Sequence, residues 1–333
     1  MKKILALLLA LWIPAAVLSG CAPQDASAAS NKLNIVTTIF PAYDWVREIL
    51  GDETDRAEIT TLLDSGVDLH SYQPTVDDIV KISECDLFLY VGGESDGWVE
   101  DALKNAPNKD RKVIRLLDVL GDSAKAEETV EGMQEEEQDH EEEEHGHEEE
   151  AEYDEHIWLS LKNAQVLVAA ISEALQESDP ARKDTYAANA AAYAEKLSAL
   201  DGEYRAAVDS GKYKTLLFGD RFPFRYLADD YGLDYYAAFP GCSAETEASF
   251  ETVSFLAGKM DALGLPCVLT IEGTQHKIAE TVVQNTAQKN QQILTMDSMQ
   301  AVTANDASSG VSYLSIMEKN LSVLKKALGQ EAE

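Results

Sequence analysis

The sequence predicts an α/β protein with two pseudo-symmetric lobes, each a mostly parallel sheet flanked by helices, bridged by one long helix. Runs of β-branched and apolar residues alternate with amphipathic helical segments in the first half of the chain, and the alternation repeats in the second half. Such alternation is typical of a parallel sheet covered by helices. Between the halves, residues 181–210 are rich in alanine and other good helix formers, which predicts a helix of roughly 40 Å joining two lobes.

The chain begins with the pattern of an export signal. Two lysines precede a short apolar region, which ends in the sequence LSGC at residues 18–21 and is similar to the lipobox of bacterial lipoproteins. The apolar region is too short for a comfortable membrane span. We expect residues 1–20 to be a signal peptide, Cys21 to carry a lipid and residues 21–31 to be a flexible tether. The protein would then be exported and held at the outer face of the cell membrane. The alternatives are an ordinary secretory signal with an incidental cysteine, or an uncleaved membrane anchor.

The N-terminal lobe is predicted to cover residues 32–122 and to be completed by residues 156–180. Short runs rich in β-branched and apolar residues predict four strands, each followed by a segment with helical spacing. These strands are predicted at residues 33–39, 57–63, 86–93 and 112–119.

An acidic segment at residues 123–155 interrupts this lobe. Between Glu127 and Glu155 there are 17 acidic residues and no lysine or arginine, about half of the net charge of −33. A segment this charged cannot bury apolar surface, so we expect it to be disordered. The strongly negative charge also argues against nucleic acid as a partner. The segment carries His140, His145 and His147, whose spacing does not match the H-E-x-x-H signature of metalloproteases.

The C-terminal lobe is predicted to cover residues 211–330 and to repeat the strand–helix alternation. Its strands are predicted at residues 215–219, 233–239, 267–273 and 291–297. Ligands of open parallel sheets bind beyond the carboxyl ends of the strands, so the cleft between the lobes is the expected binding site.

Three residues are the first candidates for metal ligands. His70 follows the second strand, His156 stands at the entry to a helix, and Asp297 follows the last strand. Two imidazoles and a carboxylate suit zinc, manganese or iron. Each candidate could instead have a purely structural role. A loop histidine is more often a surface residue, and an aspartate after a strand often caps the next helix.

Four blocks of sequence resemble a known family. The segments IVTTIFPAYDWVREI, GVDLHSYQPTVDDI, CDLFLYVGGESDGWVEDAL and DEHIWLSLKNA are similar, in order and spacing, to the zinc/manganese-specific solute-binding proteins of bacterial ABC transporters, in particular the zinc-uptake branch. The resemblance extends over about residues 32–330. It implies two α/β lobes bridged by a rigid helix, a metal site between them, and delivery of the metal to a membrane permease.

The family's ligands carry over incompletely. His70, His156 and Asp297 match three ligand positions, whereas the fourth position, just after the first strand of the second lobe, aligns with Gly219, which has no side chain to donate. Asp220, Glu272 and His276 are the candidate substitutes, because all three lie near the carboxyl ends of strands in the second lobe. Water could also complete the shell. A guanidinium from Arg221 pointing into the cleft would oppose a cation.

The expected ligand is Zn²⁺, with Mn²⁺ or Fe²⁺ as alternatives. Imidazole favours zinc over manganese, and the acidic, histidine-containing segment matches the loop that zinc-specific members carry, which implies metal capture by His140, His145 and His147. The resemblance implies a monomer without enzymatic activity, whose partners are an ABC permease and its ATPase. A surface adhesin is a second interpretation, and a metal-dependent hydrolase, for which no catalytic motif is seen, is a third.

Cysteine usage leaves one question open. Cys21 belongs to the lipobox, and an exported protein can form disulfides. Cys242 and Cys267 both lie in the second half and are the better-placed pair, with buried free thiols as the equally weighted alternative.

Overall fold

Two parallel four-stranded sheets organise the part of the chain that the structure describes. The computed structural model describes residues 32–104, 106–134, 152–243, 247–273 and 276–330. The strands of the first sheet are β1 (Leu33–Thr37), β2 (Ala57–Thr61), β3 (Leu87–Tyr90) and β4 (Lys112–Arg115), and those of the second are β5 (Thr215–Arg221), β6 (Asp234–Phe239), β7 (Cys267–Thr270) and β8 (Gln292–Thr295).

The two sheets share one topology. The order is β2-β1-β3-β4 in the first and β6-β5-β7-β8 in the second, and every pairing between neighbouring strands is parallel. The chain order reverses beside β1 and beside β5, and such reversals open a crevice at the carboxyl ends of the strands. The two-lobed α/β fold expected from the sequence is therefore confirmed.

Helices cover both sheets. They are α1 (Phe40–Leu50), α2 (Val76–Glu84), α3 (Val99–Lys104), α4 (Leu116–Leu120), α5 (Leu161–Ser178), α6 (Lys183–Ser210), α7 (Arg225–Tyr231), α8 (Phe250–Leu263), α9 (Lys277–Asn285), α10 (Ala304–Ser308) and α11 (Tyr313–Ala327). Side-chain caps begin several of them, as at α5, where Ser160 Oγ accepts from the Asn163 N–H at 3.0 Å.

The long helix predicted between the lobes is α6, with 28 residues. Its buried side chains recur every three or four positions and form one stripe along the helix, as an amphipathic helix requires. They are Tyr186, Ala190, Tyr193, Leu197, Leu200, Tyr204, Ala207 and Val208. This stripe belongs to a hydrophobic core that also includes residues of both sheets, so α6 joins the lobes through a shared core.

Ordered structure extends further into the acidic segment than its composition indicates. The Gln134 N–H donates to the carbonyl of Ala238 at 2.9 Å, and Lys259 Nζ lies 2.9 Å from Glu131 Oε2, so residues up to 134 pack against the second lobe. At the other end, Asp154 and Glu155 are each 2% exposed. Specific hydrogen bonds and burial order these ends, which charge counting alone cannot predict.

The signal peptide, Cys21, the tether and the three histidines of the acidic segment lie outside the described residues. Within the described part, no helix combines the length and apolarity needed to cross a membrane.

Candidate metal centre

His70 and His156 meet in the cleft with their Nε2 atoms 3.2 Å apart. His70 lies in a 3-10 helix, Leu69–Ser71, after β2, and His156 precedes a second 3-10 helix, Ile157–Leu159, that leads into α5. Two nitrogens bound to one tetrahedral zinc are separated by about 3.3 Å, given Zn–N distances of about 2.0–2.1 Å. The observed pair therefore already has the spacing of two zinc ligands.

Asp154 holds the back of the His156 ring. Its Oδ1 atom lies 3.0 Å from His156 Nδ1 and also accepts from the His156 backbone N–H at 2.8 Å. The ring itself is 0% exposed and packs against Trp158, whose Nε1–H donates to the Ser298 carbonyl. A carboxylate behind Nδ1 fixes the ring orientation and leaves Nε2 to face the cleft.

His70 is held from behind in a similar way. Its Nδ1 lies 2.9 Å from Ser95 Oγ and 3.4 Å from Glu155 Oε2, while Glu155 Oε1 accepts from the Ser95 N–H at 2.8 Å. Burial, then the nearby His156 and the positive charge of Arg221, lower the pKa of His70 well below its ordinary value. His70 is therefore neutral at physiological pH, the form that a metal requires.

The proton arrangement of the pair leaves a lone pair for a cation. Because the Asp154 carboxylate accepts, His156 Nδ1 carries the proton and His156 Nε2 presents a lone pair to His70. Without a metal, His70 Nε2–H can donate to that lone pair. A cation that binds both nitrogens replaces this hydrogen bond without moving either ring far.

A sulfur atom completes a group of three. Cys242 Sγ, His70 and His156 offer ligand atoms that all lie within 4.8 Å of one another, the one such group found among the described residues. Cys242 and Cys267 are both free thiols, so the disulfide considered between them is not formed. That interpretation was wrong because Cys242 lies in the cleft, whereas Cys267 is buried in β7.

A hydrogen bond and close packing hold the turn that carries Cys242 in place. The Cys242 N–H donates to Glu127 Oε1 at 2.8 Å. A side chain on Gly241 would meet the Phe222 carbonyl at 2.9 Å and the His156 ring at 3.2 Å, so only glycine lets the turn approach the ring this closely. Burial, then the carboxylates of Asp154 and Glu127, raise the pKa of the Cys242 thiol.

Arg221 connects the loop that carries His70 with the turn that carries Cys242. Its guanidinium forms an ion pair with Asp68 Oδ2 and donates to the Ser243 carbonyl at 3.2 Å. The other oxygen of Asp68 accepts from the His70 N–H at 3.0 Å. Although burial acts to raise it, the pKa of Asp68 is lowered by Arg221 and His70. The positive charge expected to oppose a cation is thus neutralised by a carboxylate.

Asp297 and Glu272 do not join this group. Asp297 Oδ1 accepts from the Met299 N–H at 2.8 Å, and the Glu272 carboxylate accepts from Ser298 N–H at 2.6 Å and from Gln300 N–H at 3.0 Å. Burial, then the charge of Glu272, raise the pKa of Asp297 to about 6. In this structure the carboxylates of Asp297 and Glu272 therefore stabilise the loop after β8, although the sequence made both candidates for metal ligands.

Gly219, Asp220 and His276 also lie outside the group. A side chain on Gly219 would clash with Ala279 of α9, with a Cα only 2.6 Å away, so this position faces a helix and cannot present a ligand to the cleft. Asp220 accepts from backbone N–H groups, including Ile271 at 3.3 Å. His276 precedes α9, and its side chain is not part of the group.

A polar cavity of about 420 Å³ leads to the site. His70 and Cys242 lie in its wall, together with four glutamates, Glu94, Glu127, Glu152 and Glu155. Clustered carboxylates in a cleft raise the local concentration of cations. The residues that border both ends of the acidic segment thus line the entrance.

Together the fold and the site define a two-lobed α/β protein in which two imidazoles and a thiol come together between the lobes. Residues 35–327 match the family described as "Zinc-uptake complex component A periplasmic", and the chain belongs to that family. The resemblance noted in the sequence is thereby confirmed.

Individual relatives agree with this assignment. The zinc-binding lipoprotein AdcA of Streptococcus pneumoniae is 33% identical over 331 residues, which cover 99% of this chain and 62% of the relative, so the chain spans less than two thirds of that protein. The high-affinity zinc uptake system protein ZnuA of Bacillus subtilis is 29% identical over 91% of this chain and 90% of its own length. The crystal structure of the Zn(II)-bound ZnuA-like domain of S. pneumoniae AdcA aligns with a TM-score of 0.68, 29% identity, and coverage of 90% of this chain and 100% of that one.

Proposed function

We propose that this protein is the extracytoplasmic zinc-binding component of an ABC importer. It captures Zn²⁺ in the cleft, with His70 and His156 as ligands, and delivers the ion to a permease driven by an ATPase. The zinc-binding names of relatives that match nearly the whole chain support this function. The same resemblance supports a transport role without catalysis.

One observation carries the proposal. Two buried imidazoles face each other at zinc-ligand spacing; the Asp154 carboxylate binds His156 Nδ1, and Ser95 Oγ lies 2.9 Å from His70 Nδ1. This carboxylate–histidine arrangement orients metal-ligating histidines and raises their basicity.

Calorimetric titration of the metal-free protein with Zn²⁺ and with Mn²⁺ tests the function. We expect one tight zinc site, weaker manganese binding, and at least about a 100-fold loss of zinc affinity in His70→Ala and in His156→Ala, because even partners behind the ligands cost 10- to 100-fold. His276→Ala is the matched control and should bind like wild type, since His276 lies outside the group. A wild-type protein without a tight site for zinc would rule out the proposal.

Location and capture complete the proposal. The lipoprotein name of the pneumococcal relative supports export and lipid attachment at Cys21, which would hold the monomeric protein near its permease. His140, His145 and His147 collect zinc weakly, and two glutamates bordering their segment, Glu127 and Glu152, line the cavity. A strain that lacks this protein should grow poorly in zinc-poor medium and recover when zinc is added. This result would separate metal import from an adhesin role.

A further inference from the structure

We propose that Cys242 Sγ is the third protein ligand of the bound zinc, so that the site is a His₂Cys site with water at the fourth position. This inference rests on the proposed function and names the ligand that the second lobe contributes. The sequence had pointed to carboxylates and His276 for that part of the site, yet none of those side chains joins the described group of ligand atoms.

The distances fit this assignment. For Zn–N of about 2.0–2.1 Å and Zn–S of about 2.3 Å, tetrahedral geometry separates sulfur from each nitrogen by about 3.6 Å. The three ligand atoms already lie within 4.8 Å of one another. The sulfur therefore has to move by little more than about 1 Å, which a rotation of the cysteine side chain or a small closure of the cleft supplies.

The surroundings of Cys242 are those of a positioned ligand. Glu127 accepts from its backbone N–H, Gly241 beside it packs on the His156 ring, and Arg221 binds the carbonyl of the following residue. The same guanidinium also binds Asp68, which accepts from the His70 N–H. One side chain thus sets the distance between the loops of two ligands that come from different lobes.

The chemistry of sulfur gives this site a preference. On binding, the S–H bond is broken, its proton passes to solvent, and the thiolate electron pair forms the Zn–S bond. Thiolate is a soft ligand that favours zinc over manganese, whereas a carboxylate in the same place favours manganese. Cys242 would therefore determine selectivity as well as affinity.

The test uses the full-length chain and Co²⁺ as a spectroscopic probe for zinc. We expect the cobalt-loaded wild type to show an intense near-ultraviolet sulfur-to-cobalt charge-transfer band, and Cys242→Ser to lack it. Zinc affinity should fall at least about 100-fold in Cys242→Ser. Cys242→Asp should narrow the difference between zinc and manganese affinity. Cys267→Ala and Cys85→Ala remove the two other described thiols, and both should keep the band and the affinity.

Each outcome decides one question. A wild type that binds zinc tightly but shows no charge-transfer band, or a Cys242→Ser variant that keeps wild-type affinity, overturns the assignment of Cys242 and leaves the proposed function intact. Absence of tight zinc binding in wild type overturns the proposed function instead. If Cys242→Ser fails to fold, the cobalt spectra of wild type, Cys267→Ala and Cys85→Ala together decide the matter.

Discussion

The two lobes contribute to the cleft in different ways. The N-terminal lobe supplies two neighbouring imidazoles, each with a carboxylate behind it, in blocks of sequence that resemble the family closely. The C-terminal lobe supplies a thiol on a turn and a guanidinium that bridges the lobes, while its Asp297 and Glu272 brace a loop instead.

This difference indicates which lobe can change its ligand residues more easily. The orientation of each imidazole ring depends on hydrogen bonds to residues a few positions away or on one neighbouring loop. The two rings therefore form a unit in which substitutions are costly. The second lobe presents its side chains from the ends of several strands, where one residue can replace another without disturbing the sheet. We expect metal preference to be set by the second lobe and the basic ability to bind a metal by the first.

The largest expected effect concerns the contact between α1 and α11, one helix from each half of the chain. Asp44 of α1 is 2% exposed and accepts from the Tyr313 N–H at the start of α11, at 2.8 Å. Burial raises the pKa of Asp44 from its ordinary value of 3.8 to about 6. A carboxyl group whose pKa is higher in the folded state contributes stability below its unfolded pKa and loses it as pH rises through the folded pKa.

Asp44→Asn should therefore gain stability relative to wild type between about pH 4 and pH 7, by up to about 3 kcal/mol. Chemical denaturation of both proteins at several pH values measures the difference. Asp55→Asn, at an exposed position, is the control for replacing an aspartate by asparagine. If the Asp44→Asn difference did not change with pH, the contact with Tyr313 would not involve an ionised buried carboxylate.

The second effect compares the two carboxylates behind the imidazoles. Asp154→Asn should weaken zinc binding 10- to 100-fold, because the amide no longer stabilises the protonated Nδ1 of His156 as a carboxylate does. Glu155→Gln should cost less, since Ser95 Oγ remains 2.9 Å from His70 Nδ1. Calorimetry of both variants measures the contrast. Equal losses would mean that His70 depends on Glu155 as fully as His156 depends on Asp154.

Much of this arrangement was predictable. All eight strands and α6 follow from alternation and helix propensity, and His70 and His156 follow from their blocks of sequence. Cys242 was missed as a ligand because it lies 86 positions after His156 in sequence, as a turn residue with no recognisable spacing. Its proximity depends on the packing of Gly241 against a ring in the other lobe, and the short GC pair after a strand was the only signal.

The third effect tests the bridge between the lobes. Arg221→Lys keeps the positive charge but cannot bind both Asp68 and the Ser243 carbonyl in the same fork geometry. We expect about a tenfold loss of zinc affinity, at the low end of the range for groups behind the ligands. Arg225→Lys is the matched control because Arg225 forms ion pairs with Glu128 and Asp229, and it should bind zinc normally.

Unchanged affinity in Arg221→Lys would show that charge alone matters at this position. A tighter site in Arg221→Gln than in Arg221→Lys would point the same way, because the glutamine removes the repulsion between a cation and the bound zinc. Loss in both variants supports a role in setting the distance between the two loops.

The smallest expected effect on the cleft comes from the acidic segment. Deleting residues 136–150 removes His140, His145 and His147 but keeps Gln134, Glu127 and Glu152, which contact the second lobe or line the cavity. The tight site should then change by less than about threefold, because its ligands and their partners remain, whereas weaker additional zinc binding should disappear. Calorimetry over a wide zinc range separates the two classes of site.

A variant in which the same three histidines are replaced by glutamine at constant length is the control for shortening the segment. If both variants lost the tight site, the histidines of the acidic segment would belong to the primary shell, and the division between a tight site in the cleft and weak zinc binding by the acidic segment would fail.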